Sequence, residues 1–224
     1  MSIQYNLLEI KASLPPYVTL VAVSKTWPVA DLMEAYNAGQ RIFGENKVQE
    51  MVEKWEQMPK DIQWHMIGHV QTNKVKYMVP FVSLIHGVDS LKLLTEINRQ
   101  AKRYRKVINC LLQIHIAEED TKFGLNEAEL QELLASEEFQ QMENISITGL
   151  MGMATFTDDE AQVRKEFAHL KSIFDGLKQQ AELSEKSLNL KLETLSMGMS
   201  GDYQVAIDCG STMVRIGSSI FGGR

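Results

Sequence analysis

The stretch Val18-Thr19-Leu20-Val21-Ala22-Val23-Ser24-Lys25-Thr26-Trp27-Pro28 decides the fold. Val18 to Ser24 is short, apolar and rich in β-branched residues, as a strand buried on both faces must be, and Pro28 stands where the first turn of a helix can begin. The strand enters that helix through Lys25-Thr26-Trp27, with no Gly-x-Gly-x-x-Gly turn for a dinucleotide, and no P-loop occurs elsewhere. The same βα unit then recurs along the chain. Further candidate strands are Arg41 to Phe43, Gln63 to Ile67, Val82 to Gly87, Val107 to Ile116, Ser146 to Met151, Leu192 to Ser196 and Met213 to Ile216, and each except the last is followed by a helix candidate. Asp89-Ser90 can cap the helix through Ala101, and Gly39 and Gly210 stand at C-terminal stops. Eight parallel strands with alternating helices in 224 residues predict an α/β protein, a single (β/α)₈ barrel spanning residues 1–224, with a doubly wound open sheet as runner-up.

Composition narrows the function classes. With 44% hydrophobic and 23% charged residues the chain is an ordinary globular one, and 23 Lys+Arg against 29 Asp+Glu, a net charge of -6, disfavour a nucleic-acid partner. Cys110 and Cys209 are too few for a disulfide framework and form no C-x-x-C motif, which points to a reducing cytoplasm. No leader pattern and no bilayer-length apolar run is present, so no membrane partner is expected, and no linker or low-complexity tract divides the chain.

A barrel carries its chemistry where its strands end. Strand one delivers Lys25, strand two Glu45-Asn46, strand three His65 and Gly68, strand seven Ser196, Gly198 and Ser200, and strand eight Arg215, Gly217, Ser218 and Ser219. Period two from Thr19 through Val21 and Val23 points Lys25 toward the lumen. Three readings stand for it: a lysine reaching past the strand to solvent, a lysine paired with Glu45, or a Schiff-base lysine whose amine is activated by burial or a neighbouring cation. The Gly/Ser-rich ends of strands seven and eight either simply close the fold or cradle a phosphate, with a helix from Gly201 to Cys209 adding its positive end. Arg215, in an otherwise apolar strand, needs a carboxylate or an acceptor nitrogen. His65, His69, His86, His115 and His169 have no metal-ligand spacing, and neither a nucleophile elbow nor a zinc-protease motif is present. Lys122, in the loop from Ala117 to Leu125, reads as a surface charge.

These residues, Val21-Ala22-Val23-Ser24-Lys25-Thr26, Phe43-Gly44-Glu45-Asn46 with Gln49-Glu50, His65-Met66-Ile67-Gly68 with Gln71-Thr72-Asn73-Lys74, Ser196-Met197-Gly198-Met199-Ser200 and Gly210-Ser211-Thr212-Met213-Val214-Arg215-Ile216-Gly217, closely resemble the pyridoxal phosphate homeostasis protein family over almost the whole chain. Val70 and Thr72 depart from the commoner Leu and Ser. The resemblance implies a fold-type III barrel like the N-terminal domain of alanine racemase, with pyridoxal 5′-phosphate (PLP) held by Lys25 as an internal aldimine. It further implies Ser196, Gly198, Ser200, Gly217 and Ser218 around the phosphate, Arg215 facing the pyridine nitrogen, Asn46 and His65 lining the ring, and Lys122 as a secondary contact. A guanidinium cannot accept a proton, so beside the ring nitrogen it leaves that nitrogen unprotonated and the ring a weaker electron sink. The expectation is therefore a monomeric carrier of PLP that delivers it to apo PLP-dependent enzymes, with no catalytic residue of its own, since the chain leaves no room for the racemase's second domain. A small PLP-dependent racemase and a Schiff-base aldolase are the alternatives.

Overall fold

The computed structural model describes residues 2–119, 123–183 and 189–223. Eight strands, β1 (Thr19–Val23), β2 (Ile42–Glu45), β3 (Gln63–Met66), β4 (Val82–Val88), β5 (Ile108–Gln113), β6 (Ile145–Met151), β7 (Leu190–Met199) and β8 (Met213–Ile216), pair in parallel in sequence order, and β8 pairs with β1 to close the barrel. Closure excludes the open sheet. Helix α1 (Ile3–Ser13) precedes the barrel. The strands are then followed in turn by α2 (Val29–Asn37), α3 (Val48–Gln57), α4 (Val75–Met78), α5 (Leu91–Arg103), the pair α6 (Glu127–Ala135) and α7 (Glu137–Gln140), α8 (Glu160–Leu183), α9 (Tyr203–Asp208) and α10 (Ser218–Phe221).

Local chemistry sets the boundaries. Pro28 lies one residue before α2, as its extended N-cap, rather than inside the first turn. Ser90 caps α5 by accepting the Leu93 amide at 3.2 Å, and Gly39 and Gly210, at φ 92° and 97°, stop α2 and α9 in the left-handed conformation that costs glycine little. Sequence expectation and structure also differ in the limits of several elements: β2, for example, is Ile42–Glu45 rather than Arg41 to Phe43. The fifth strand ends at Gln113 instead of Ile116, because Ile114 turns away to bridge Leu125. The seventh strand is longer than expected, Leu190–Met199. The terminal Gly-Ser stretch contains the four-residue helix α10, supported by α1 through a 3.1 Å bond from Asn6 Nδ2 to the Ile220 carbonyl.

Apolar side chains fall into two clusters. The larger fills the layer between strands and helices, with Leu32, Phe43, Trp64, Leu94 and Phe167 fully buried. The smaller, Val21, Leu84, Leu111, Met151 and Met213, plugs the lumen, and each of its members is worth roughly 1.5–3 kcal/mol of burial. Because side chains alternate along a strand, the lumen layer above that plug is read two residues further on: Val23, His86, Gln113, Met153 and Arg215. One more step of two brings Lys25 and Gly217. The sequence thus changes from apolar to polar at the carboxyl ends of the strands.

Candidate functional site

The floor of the site is a buried chain of hydrogen bonds across the lumen. Arg215 Nη1 donates to Ser196 Oγ at 2.6 Å and to the Ser196 carbonyl at 2.9 Å, while Nη2 donates to the Gly152 carbonyl at 3.1 Å. Ser196 Oγ lies 3.0 Å from His86 Nδ1, and His86 Nε2 lies 3.0 Å from His65 Nδ1. A guanidinium can only donate. The serine therefore accepts from it, and in the tautomer that carries the His86 proton on Nε2 the serine hydroxyl donates to His86 Nδ1 while His86 Nε2 donates to His65 Nδ1. Burial keeps both imidazoles neutral: it lowers His65 from 6.5 to about 3 and takes His86 well below the ordinary value, with His65 and Arg215 adding to the effect. Burial also draws Arg215 down to about 10, opposed by the Asp202 carboxylate, so the guanidinium remains cationic at neutral pH.

Above this floor opens a cavity of about 750 Å³ whose lining includes Lys25, Asn46, Ser200, Arg215, Gly217 and Ser218. Lys25, Asn46, Gly68, Ser200, Arg215, Gly217 and Ser218, singled out in the sequence, thus line one cavity. Lys25 is exposed at the end of β1, and the following Thr26 adopts φ 65°, an uncommon conformation for a β-branched residue. Gly68 lets the end of β3 lie on strand two's turn: a Cβ there would come within 2.5 Å of the Asn46 carbonyl oxygen. Ser200 Oγ accepts the Gly217 amide at 3.3 Å and joins the ends of β7 and β8, while α10 begins at the exposed Ser218 and Ser219, and its Ile220 and Phe221 amides both donate to the Gly217 carbonyl at 2.9 Å.

The structure places other candidates elsewhere. His65 and Ser196 are buried in the floor relay, below the cavity. Gly198 faces α9: at φ 99°, its Cβ would fall 2.7 Å from that of Ala206. Glu45 is not the partner of Lys25, because it sits on the face of β2 opposite the lumen, where its Oε1 accepts from Ser24 Oγ at 2.6 Å and from Lys54 Nζ at 2.7 Å. Burial raises the Glu45 carboxyl above its usual value in spite of Lys54. The helix expected from Gly201 begins at Tyr203 instead, and the preceding Asp202 accepts the Met199 amide at 2.6 Å, which puts a carboxylate rather than a bare helix end there. Lys122 lies outside the described residues.

Sequence reading missed part of the wall, namely His69, Gln113, Phe123, Met153, Thr155, Asp158 and Asp202. Gln113 and Met153 could have been found, since they stand two residues beyond the lumen residues Leu111 and Met151. His69 stacks on Phe123 with centroids 4.2 Å apart, and its Nδ1 lies 3.3 Å from Asp89 Oδ2, an arrangement that depends on loop geometry. Among the described residues no cluster of three or more His, Cys, Asp or Glu side chains is placed to hold a metal ion, and no helix is long and apolar enough to cross a membrane.

Comparison with known proteins gives one family. The model of the alanine racemase N-terminal domain matches residues 1–224. The pyridoxal phosphate homeostasis protein of Pasteurella multocida (strain Pm70) is 39% identical, over 100% of this chain and 98% of its own, and that of Synechocystis sp. is 39% identical over 96% of each. The structure of PipY from Synechococcus elongatus PCC7942, solved without PLP, superposes with a TM-score of 0.90 at 36% identity, over 99% of this chain and 100% of that one; the PLP-bound PipY gives 0.88. An alanine racemase from Clostridium difficile 630 shares the fold, with a TM-score of 0.78 at 18% identity, and this chain spans 56% of it. On the full-length identity to several of its members, the chain belongs to the pyridoxal phosphate homeostasis protein family.

Proposed function

We propose that this chain binds pyridoxal 5′-phosphate in the cavity above Arg215, attached to Lys25 as an aldimine, and hands it to other proteins without turning over a substrate of its own. The observation that carries the reading is that one primary amine, one buried guanidinium and the Ser200, Gly217 and Ser218 cluster line a single cavity. That donor set suits a molecule with an aldehyde, a pyridine nitrogen and a phosphate. Relatives named as homeostasis proteins rather than enzymes, and PipY with PLP bound, support it.

When bound, PLP supplies a transferable aldehyde and a ring that withdraws electrons. The chain's part is to bind and orient it. Lys25 offers the amine that condenses with the aldehyde carbon, the oxygen leaving as water. Ser200 and Ser218 offer hydroxyl donors at the phosphate end. Arg215 offers a donor to the ring nitrogen and withholds a proton from it, because the group stays protonated itself. The relay through Ser196 and His86 ends in two neutral imidazoles, so nothing beneath the guanidinium supplies a proton near neutral pH. A poorly activated ring suits storage better than carbanion chemistry. Two reduced cysteines are in keeping with a cytoplasmic setting.

The test is a transfer assay. Protein loaded with PLP is mixed with an apo PLP-dependent enzyme whose recovered activity reports delivery. Recovery in step with loss of the carrier's own chromophore is expected, and retention of the chromophore with no recovery would refute delivery.

A further inference from the structure

Outside the barrel, on the face of β2 and α3 turned away from the cavity, lies a buried ionic cluster that the binding reading leaves unused. The Lys54 ammonium has three protons and three acceptors, each at 2.7 Å: the Ser24 carbonyl, Glu45 Oε1 and Glu50 Oε1. Lys54 and Glu45 are almost wholly buried, with side-chain exposures of 6% and 0%, so the cluster is costly to maintain and is not an ordinary surface ion pair. The Glu50 oxygen that receives Lys54 also accepts the backbone amide of Thr26, and Ser24 Oγ donates to the Glu45 oxygen that receives Lys54.

The positions of these contacts matter more than their number. The Ser24 carbonyl belongs to the peptide plane before Lys25, and the Thr26 amide belongs to the plane after it. Two planes fixed on either side of one Cα fix that residue's φ and ψ, and with them the direction of its Cα–Cβ bond. The Ser24 amide is tied as well, to the Gly44 carbonyl at 3.0 Å, and Thr26 is held at φ 65°, a conformation that surrounding structure must impose on a β-branched residue.

We propose that Lys54, acting through Glu45 and Glu50, is the positioning residue that aims Lys25 into the cavity. The proposal rests on Lys25 being the attachment point for PLP. Lys54 is not among the residues lining the cavity, and its effect is on the capture of an aldehyde by Lys25 rather than on occupancy of the cavity by a phosphate ester.

Two measurements test it. The first needs no cofactor: amide exchange at Thr26 in the ligand-free protein. Glu50→Ala is expected to speed that exchange by about tenfold or more relative to the amides of β1, whereas Glu50→Gln, which keeps an oxygen acceptor, stays near wild type. The second compares borohydride trapping of PLP at Lys25 with binding of 4-deoxypyridoxine 5′-phosphate, which lacks the aldehyde. Because Lys54→Met alone would strand a buried carboxylate and could unfold the protein, it is combined with Glu45→Gln. This double variant and Glu50→Ala are expected to form trapped adduct about tenfold more slowly than wild type while binding the aldehyde-free analogue within about threefold of it. Equal losses of trapping and of analogue binding would reduce the cluster to general support of the fold and overturn the proposal, as would unchanged trapping. If wild-type protein itself is not trapped at Lys25, the binding reading fails and this proposal with it, while the exchange measurement still reports whether the clamp holds the Lys25 backbone.

Discussion

Arg215 Nη1 donates to Ser196 Oγ at 2.6 Å, and that contact makes the arginine on the cavity floor the head of a buried relay. Its guanidinium donates to neutral oxygens: the Ser196 hydroxyl and carbonyl and the Gly152 carbonyl. Neutral oxygens orient the guanidinium, and the Asp202 carboxylate favours its charged form.

Ser196→Ala should therefore loosen Arg215 and leave His86 Nδ1 without its partner. Loss of a hydrogen bond to a charged group predicts about 1.5–3 kcal/mol of destabilisation in chemical denaturation, together with weaker PLP binding. An unchanged denaturation midpoint would show that the arginine does not depend on this serine.

The two relay histidines set a pH dependence. Their folded values lie below the unfolded one, so folding favours the neutral rings; the stabilisation is complete above about pH 6.5 and is lost as pH falls toward the value of about 3 for His65. His65 alone corresponds to about 3 kcal/mol lost by about pH 4. His65→Asn should flatten the acid limb of the stability curve, measured as denaturant midpoint against pH. A limb as steep in the variant as in wild type would assign the acid sensitivity to other groups.

Two glycines of opposite character give an internal control. Gly198, at φ 99° and pressed against Ala206 and Tyr203, should lose roughly 1–3 kcal/mol on replacement by Ala. Gly176 in α8 has nothing within 4 Å of the added Cβ, and Gly176→Ala should gain about 1 kcal/mol. Thermal melting reads both, and shifts of the same sign would contradict the packing described for Gly198.

Much of this was legible in the chain. The eight strands follow from short Val/Ile/Leu-rich runs, and β8 coincides with its expected limits because Met213 to Ile216 is bounded by polar residues and glycine. Period two carried Lys25 to the cavity wall, and Arg215 stood out as a charge in an otherwise apolar strand. Less accessible was what depends on three-dimensional neighbours. Ser196 and His65 stand at strand ends as a ligand-binding residue would, yet the lumen puts them one layer too deep, and the sequence does not show that Arg215 and His86 occupy them. Glu45 lies next to Asn46 but faces the opposite side of the sheet, because a strand alternates its side chains. Asp158 and His69 reach the wall from loops, whose paths leave no periodic signature.

Carriage and catalysis differ in what happens to an amino acid. With Arg215 rather than a carboxylate available to the ring nitrogen, L-alanine and L-serine should keep their enantiomeric purity over prolonged incubation with PLP-loaded protein, as read by chiral chromatography. Sustained racemisation that is abolished in Lys25→Ala would replace the carrier with an enzyme.

The most direct test of the account is the site of covalent attachment. The protein is incubated with PLP, reduced with borohydride, digested, and its peptides mapped by mass. The account predicts a phosphopyridoxyl group on the peptide containing Lys25, and loss of the visible chromophore in Lys25→Ala. A protein that acquires no PLP, or one labelled equally on surface lysines such as Lys74 and Lys76, would contradict it.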